Sequence, residues 1–314
     1  MCREVASLVL AAVATLPAVP APAPIPDCVS AAAARLEETA RDLHTTEPWD
    51  ERHSAQQIGI LAAMHAHGLL HSGDAAVFAE LGAGRGYLLN ALAVCVGPPC
   101  RLLFVERRAY RNKAERSLRR RPGIEVARAR CDVADLDLEQ AIATLLDGGG
   151  GLEHAPDTVI VLAKHLCGSA TDMALRCAIR VRAGSCKLGG LAMAPCCHHA
   201  CSWKAYVNKR FLKAHGIGRR QFSILKRLAS WCVDSHGGGR APSTAADEED
   251  GLSRWGYPSA ERARIGTAVK RFLDTGRAQW LTQQRGGPAA TEASLVSYVE
   301  ASITPENRLV VWRC

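Results

Sequence analysis

Three groups of residues in this 314-residue chain have the types and spacing for chemistry. The first is Glu80-Leu81-Gly82-Ala83-Gly84-Arg85-Gly86, a carboxylate followed by three alternating glycines. Glycine permits φ > 0 and lets the main chain approach a ligand with no Cβ in the way, which suits a nucleoside. Glu106 follows twenty residues after Gly86, and its carboxylate can accept both hydroxyls of a ribose. The second group is Lys164-His165-Leu166-Cys167-Gly168, and the third is Pro195-Cys196-Cys197-His198-His199-Ala200-Cys201. These supply groups that can orient an acceptor atom and take its proton. His165 or His198 could do so from an ordinary pKa of about 6.5. Lys164 would need a depressed pKa to act as a base; as a cation it could instead orient a phosphate or stabilise a developing alkoxide. Thiolate and imidazole are also preferred zinc ligands, but structural zinc sites draw on two separated ligand pairs. Only Cys197 with Cys201 provides one here, with Cys167, Cys232 or His236 left to complete it in space. No metal is therefore assigned, and Cys197 and His198 are read with Lys164 and His165 as the border of an acceptor site.

The first group is useful only at the end of a strand and the start of a helix. A dinucleotide-binding turn would carry its third glycine three residues after the second, where this chain has Tyr87. A nicotinamide dehydrogenase is disfavoured on that ground. The pattern E-x-G-x-G-x-G instead resembles the loop with which class I S-adenosylmethionine (SAM) methyltransferases wrap the methionine end of a ligand that lacks phosphate. On that resemblance Glu80, Gly82, Ala83, Gly84, Gly86 and Glu106 hold the cofactor. Cys131 and Asp132, at the end of a third strand, are placed by fold analogy against the adenine ring and its amine.

The elements needed to position these groups are legible. Ile58, Leu61, Ala62, His65 and Leu69 recur at helical spacing. Five apolar or β-branched runs follow: Phe78 to Leu81, Arg101 to Val105, Ile124 to Arg128, Thr158 to Leu162 and Leu188 to Ala194. Helix-compatible segments separate them, the rhythm of βαβ units and a buried parallel sheet. SLVSYVEA and Leu309 to Trp312, flanking the turn-like Thr304-Pro305-Glu306-Asn307, give two more strands. The fold class expected is α/β, with a seven-stranded, mostly parallel sheet and an insertion of about a hundred residues between strands five and six. Such a length exceeds ordinary connections and must carry its own helices or a lid. Within it, residues 237–256 read as a disordered loop. Residues 1–49 read as a flexible Ala/Pro-rich tail and residues 50–314 as one domain. The apolar run Val5 to Leu16 is too short to span a bilayer, so no membrane association is expected, and secretion is disfavoured despite it.

Composition sets wider limits. Hydrophobic residues make up 48% and charged residues 22%, which excludes a wholly disordered, collagen-like or coiled-coil protein. Thirteen cysteines, an odd number with two of them adjacent, argue against a secreted disulfide scaffold and for a reducing nuclear or cytoplasmic setting. The net charge is +8, and the run Arg107 to Arg121 holds eight basic residues against one acid. As a helix it would bury Tyr110, Ala114 and Leu118. Arg108, Arg111, Lys113, Arg116, Arg119 and Arg120 would then form a phosphate-tracking face, although a solvated face is the commoner use of such a run. The insertion adds Lys204, Lys209, Arg210, Lys213, Arg219, Arg220, Lys226 and Arg227 among Trp203, Tyr206, Phe211 and Phe222, an interleaving that suits RNA.

Several longer segments carry a more specific resemblance: RHSAQQIG (Arg52 to Gly59), FAELGAGRGYL, AKHLCGSATDMALRC (Ala163 to Cys177), MAPCCHHACSW (Met193 to Trp203), LASWC, IGTAVKRFLDTGRAQWL and SYVEASITPEN. In this order, over residues 52 to 312, the chain resembles the eukaryotic tRNA 2′-O-methyltransferases that modify nucleotide four of the acceptor stem, the Trm-thirteen family. The resemblance implies a Rossmann-like class I fold, SAM as methyl donor and tRNA as acceptor. It also implies small zinc-binding modules ahead of the catalytic domain, for which residues 1–51 offer only Cys2, Cys28 and His44. A SAM-dependent N-methyltransferase of a protein or small molecule, and a catalytically idle RNA-binding subunit, are the alternatives.

Overall fold

The computed structural model describes residues 1–42, 51–70, 76–110, 114–147, 156, 158–181, 186–234, 256–284 and 292–314. The loop expected over 237–256 therefore lies, apart from Gly256, outside the described residues, as do Arg111 and Lys113.

All seven expected strands form, and they form one sheet: β1 (Ala76–Leu81), β2 (Cys100–Val105), β3 (Ile124–Ala129), β4 (Thr158–Cys167), β5 (Lys187–Cys196), β6 (Ser294–Ser297) and β7 (Arg308–Arg313). The order is β3-β2-β1-β4-β5-β7-β6, with β7 running antiparallel to both of its neighbours and the other pairs parallel. The strands are apolar on both faces because both are covered. Phe78, Leu102, Phe104, Ile160 and Leu162 face α2 (Asp27–Asp42), α3 (Glu51–Ala66) and α4 (Tyr87–Val96). Their alternates Val77, Ala79, Leu103, Val159 and Val161 face α6 (Leu138–Asp147) and α7 (Ser169–Ile179), as the two-residue period of a strand requires. Strand order reverses between β1 and β4, which opens a crevice beyond their carboxyl ends where ligands of such sheets bind.

Between β2 and β3 the structure departs from expectation. Among the described residues of the basic run, helix is confined to Glu115–Leu118 (α5), and 107–110 are not helical. Ala114 and Leu118 are buried as the spacing predicts. The single acid of the run, Glu115, is buried too and pairs with Arg128 of β3.

The N-terminal segment also differs from the mobile tail read from its composition. Helix α1 (Cys2–Thr15) buries Val5, Ala6, Val9 and Ala12, spaced three or four residues apart, against the insertion. Arg271 donates to the Leu16 carbonyl at 3.1 Å and Ser297 N–H to that of Pro20 at 3.1 Å. Proline and alanine describe the linker after α1 well, but Ala6, Val9 and Ala12, each three residues on from the last, are also a docking face.

The insertion after β5 carries a 3-10 turn (His198–Ala200), α8 (Lys209–Ala214), α9 (Arg219–Asp234) and the long α10 (Ser259–Thr282). Its own core comprises Tyr206, Phe211, Phe222, Leu225, Leu228, Ile265, Phe272 and Leu273. The aromatics of the interleaving read as suited to RNA are thus mostly interior: Tyr206, Phe211 and Phe222 are buried, and Trp203 lies edge-on to Phe222. The lysines and arginines between them fall on the other side of the helical period, so Lys204, Arg210, Lys213, Arg219, Arg220 and Arg227 remain exposed.

Helix α10 is fastened to the sheet by charge as well as by apolar packing. Arg277 is fully buried, with Nη2 2.8 Å from Asp172 of α7 and Nη1 2.8 Å from Asp274. Removing one partner of such a pair leaves a charge in a low-dielectric interior and costs about 3–5 kcal/mol. Asp172→Ala is accordingly expected to lower unfolding stability by that amount in urea titration. A loss below about 0.5 kcal/mol, the range of ordinary surface substitutions, would show that Arg277 is not held as a buried cation.

Candidate active site

At the end of β1 the main chain turns three times through the left-handed region, at Gly82, Gly84 and Gly86. Two of these positions show why glycine is needed. Gly86 has φ +85°, and a Cβ there would lie 2.6 Å from the Phe104 ring. Gly84 has φ +52°, with open space where its Cβ would be. The Gly82 and Ala83 N–H groups both donate to the Val105 carbonyl at 2.9 Å, and Gly84 N–H donates to Glu106 Oε2 at 3.0 Å. The Gly84 carbonyl accepts from Arg128, which Glu115 holds in turn. The segment after β2 thus buttresses the glycine turn, through an acid that its basic composition disguises.

A cavity of about 330 Å³ opens beside this turn, at the carboxyl ends of β1 to β4. Its lining includes Gly82, Glu106, Cys131 and Asp132 from one side and His165, Leu166 and Cys167 from the other. Its volume falls in the range of small-molecule sites. Five residues singled out in the sequence (Gly82, Glu106, Cys131, Asp132 and His165) therefore share one cavity. Arg107, absent from the candidates, joins them and donates to Asp132 Oδ2 at 3.2 Å. The Ala134 N–H and then Arg107 hold the Asp132 carboxyl below its ordinary range. Glu106 Oε1 accepts from Arg108 N–H at 2.8 Å, so both carboxylate oxygens are oriented by backbone donors.

Glu80 lies behind the turn and is 3% exposed. Burial pushes its carboxyl up to about 8; the Leu89 N–H and the charges of Lys164 and Arg128 offset only part of this. Its Oε2 has no hydrogen-bond partner among the described residues. A buried carboxyl with an open oxygen at a ligand turn suits a cationic or donor group of that ligand.

The acceptor side is less uniform than the sequence implied. His165 sits at a register shift in β4 with φ +63°, and its Nε2 is 2.9 Å from Gln56 Oε1 of α3. That bond makes Nε2 the donor and leaves Nδ1 as the acceptor. Burial, then the charges of Lys164 and His53, draw its pKa down to about 4. Lys164 Nζ donates to the His53 carbonyl at 3.3 Å and is not among the residues lining the cavity. His198 is 1% exposed, and its Nε2 is 2.8 Å from Asp274. It is packed inside the insertion interface, away from the cavity lining. The partners Asp172, Asp274, Arg277 and Glu306 all escaped notice, since nothing local in sequence links them to the cysteine-rich edge.

The thiols also regroup. Cys201, the expected companion of Cys197, is buried and accepts from Arg277 Nη2 at 3.1 Å. Cys197 instead joins Cys167 and Cys196, with all three Sγ atoms within 4.8 Å of one another. Hydrogen bonds from Cys196 and Cys167 draw the Cys197 thiol down to about 5 against its burial, while Cys196 is pushed far up. Arg108, Arg116, Arg119 and Arg120 are exposed on the segment that leaves the cavity. Among the described residues no helix is long and apolar enough to cross a membrane.

Residues 55–313 match the family described as Methyltransferase TRM13. The chain is 32% identical to the tRNA:m(4)X modification enzyme TRM13 of Eremothecium gossypii, over 83% of this chain and 62% of that protein. It is 28% identical to the corresponding enzyme of Yarrowia lipolytica, over 83% and 59% of the two chains. To the human tRNA:m(4)X modification enzyme TRM13 homolog it is 26% identical, over 82% and 64%. The matches thus span about three fifths of the length of these curated relatives.

The raised Glu80 carboxyl makes stability depend on pH. The folded state keeps a proton to about pH 8 that the unfolded chain releases near 4.5, so this group's contribution is complete below 4.5 and is lost as pH rises through 8. Glu80→Gln is expected to remove a decline of a few kcal/mol across that window, read as the wild-type-minus-variant difference in urea midpoints. Parallel profiles for the two proteins would mean that Glu80 titrates normally.

Proposed function

This chain belongs to the TRM13 methyltransferase family, and from that premise we propose that it methylates tRNA at a ribose 2′-hydroxyl of nucleotide four in the acceptor stem, with SAM as donor. The sheet order, with its reversal beside the glycine turn, supports assigning it to the Rossmann-like class I methyltransferases. The observation that carries the proposal is the shared cavity, in which a nucleoside-binding wall from β1 to β3 faces His165 and Cys167 from β4.

The residues present fit SAM. The open oxygen of Glu80 suits its ammonium group, the oriented Glu106 carboxylate its ribose diol, and Asp132 with Cys131 its adenine edge. Gly84 leaves space for close approach of the main chain. When bound, the sulfonium supplies an activated methyl group, so the protein need only align an oxygen with it. Gln56 fixes the His165 ring so that Nδ1 can accept a hydrogen bond from the acceptor hydroxyl. Lys164, anchored on His53, contributes a positive field to this edge. Cys197 borders the same edge through Cys167, and His198 acts behind it as a positioning residue. The exposed Arg108, Arg116, Arg119 and Arg120, with the insertion's lysines and arginines, provide the cationic surface for RNA phosphates, to which Arg111 and Lys113 would add. The thirteen free cysteines suit a nuclear or cytoplasmic setting.

Incubation with labelled SAM and total tRNA tests the reaction. A 2′-O-methyl group removes the hydroxyl that alkali needs to cleave the adjoining phosphodiester. Label is expected in an alkali-resistant dinucleotide from the acceptor stem. Label on bases, on protein or on a small molecule would overturn the proposal, and no SAM binding would point to an idle RNA-binding subunit. Gly84→Val places a branched side chain at φ +52° and in the path of the ligand. Calorimetry is expected to show at least tenfold weaker SAM binding with the circular dichroism spectrum retained; unchanged affinity would remove the turn from the site. Wild-type binding near pH 7 is also expected to release a proton from Glu80, read as a dependence of the measured heat on the buffer's ionisation enthalpy.

A further inference from the structure

We propose that Cys167, Cys196 and Cys197 form a site for a soft divalent cation, zinc being the fitting ion, held by three thiolates with its fourth position toward the ligand cavity. Cys167 and Cys196 are register partners at the ends of β4 and β5, with their sulfurs 3.5 Å apart. Cys197 is the next residue along, and all three sulfurs lie within 4.8 Å of one another. Zinc–sulfur bonds of about 2.3 Å in a tetrahedral arrangement place sulfurs roughly 3.8 Å apart, so only small movements are needed.

The backbone supplies a second, independent observation. Among the described residues only His165 and Cys197 have positive φ without being glycine, at +63° and +48°. His165 precedes Cys167 by two residues on β4, and Cys197, itself a member of the cluster, directly follows the end of β5. Left-handed conformations at such residues are disfavoured and persist where a site requires the direction they impose. Here the turn at Cys197 carries its sulfur to those of the neighbouring strand ends. Packing alone does not account for the group, because Cys167 is exposed and Cys197 only half-buried, whereas a small apolar filler would be enclosed.

Three protein ligands and an open fourth position distinguish a reactive zinc site from a closed structural one. Cys167 itself lines the cavity, so the open position would face the acceptor side and take water or a hydroxyl oxygen. Binding exchanges thiol protons for the metal: the remaining S–H bonds ionise, three S–Zn bonds form, and the protons pass to solvent. No electron transfer is involved. The inference stands apart from the identity of the methyl acceptor, because its readout is metal content.

The full chain, purified under reducing conditions and stripped with chelator, is loaded with Zn²⁺ or Co²⁺ and passed through a desalting column. One metal per chain is expected to remain. The cobalt form is expected to show thiolate-to-metal charge transfer in the near ultraviolet and the visible bands of a four-coordinate ion. Cys167→Ser and Cys197→Ser, at positions that are not fully buried, are expected to lower retention at least tenfold. Cys314→Ser, at the far end of β7, should leave it unchanged. Failure of the wild type to retain metal, or equal retention in Cys167→Ser and Cys197→Ser, would overturn the site. Loss of tRNA methylation with metal content intact would leave it standing and count against the acceptor assignment instead.

Discussion

A guanidinium with no exposed surface has to be neutralised where it lies, and that requirement organises this molecule. Arg277 meets it with Asp172 from α7 and Asp274 from its own helix, while Tyr206 and Cys201 close around the remaining faces. Asp274 also receives His198; although burial opposes it, His198 and then Arg277 hold the Asp274 carboxyl below its ordinary range. Asp172 accepts the Val207 N–H as well. One charge cluster therefore fixes α7, the turn after β5, the start of the insertion and α10 relative to one another. A second pair, Lys270 with Glu306, ties the same helix to the turn between β6 and β7. A buried ion network stabilises little compared with apolar packing of equal volume, but its geometry admits few alternatives. Its effect here is to hold the cysteine-bearing end of β5 in one place.

The cofactor side is held by a different means. Among the described residues one buried ion pair, Arg128 with Glu115, stands under the glycine turn, and backbone donors fix the rest. Val105 takes two N–H groups, Glu106 a third, and Arg128, itself held by Glu115, takes the Gly84 carbonyl. The two sides meet where Leu166 fills the space beside Gly82: a Cβ there would lie 2.7 Å from the leucine side chain. On the other flank, a Cβ at Gly168 would strike the Ala200 backbone. The cavity wall at Gly82 and Leu166, and the neighbouring β4–β5 edge at Gly168 and Ala200, are thus set by close approaches that leave no room for a methyl group. This is how a cavity assembled from four strand ends keeps a defined width.

The parts legible in the sequence are those encoded locally. Seven strands, the glycine turn and Glu106 were readable because alternation, turn chemistry and a fixed interval each act over a few residues. Misreadings occurred where composition stood in for position. Ala and Pro suggested a loose tail, yet Val5, Ala6, Val9 and Ala12 form a docking stripe. Aromatics interleaved with basic residues suggested an RNA-facing surface, yet the helical period turns Phe211 and Phe222 inward and the charges outward. The basic run suggested a long helix, but its single acid ends up buried against Arg128, and among its described residues one turn of helix forms. Asp172, Asp274, Arg277 and Glu306 were out of reach for another reason: their partners are up to about a hundred residues away, and no local pattern marks a long-range ion pair.

These two constructions divide the labour between recognition and chemistry. The arginines that can meet phosphates stand on exposed segments, where screening weakens each contact and none depends on its neighbour's exact place. On the proposed assignment, the groups that would meet one atom of the acceptor, His165 and the thiols of Cys167 and Cys197, stand on strand ends and a turn held by Gln56 and by the fit of Gly168 against Ala200. Phosphate contacts tolerate displacement of a few ångström, whereas an in-line transfer does not. On that assignment the buried charges of Asp172, Asp274 and Arg277, which lie outside the cavity lining, would bear on the chemistry by controlling where the β5 edge lies.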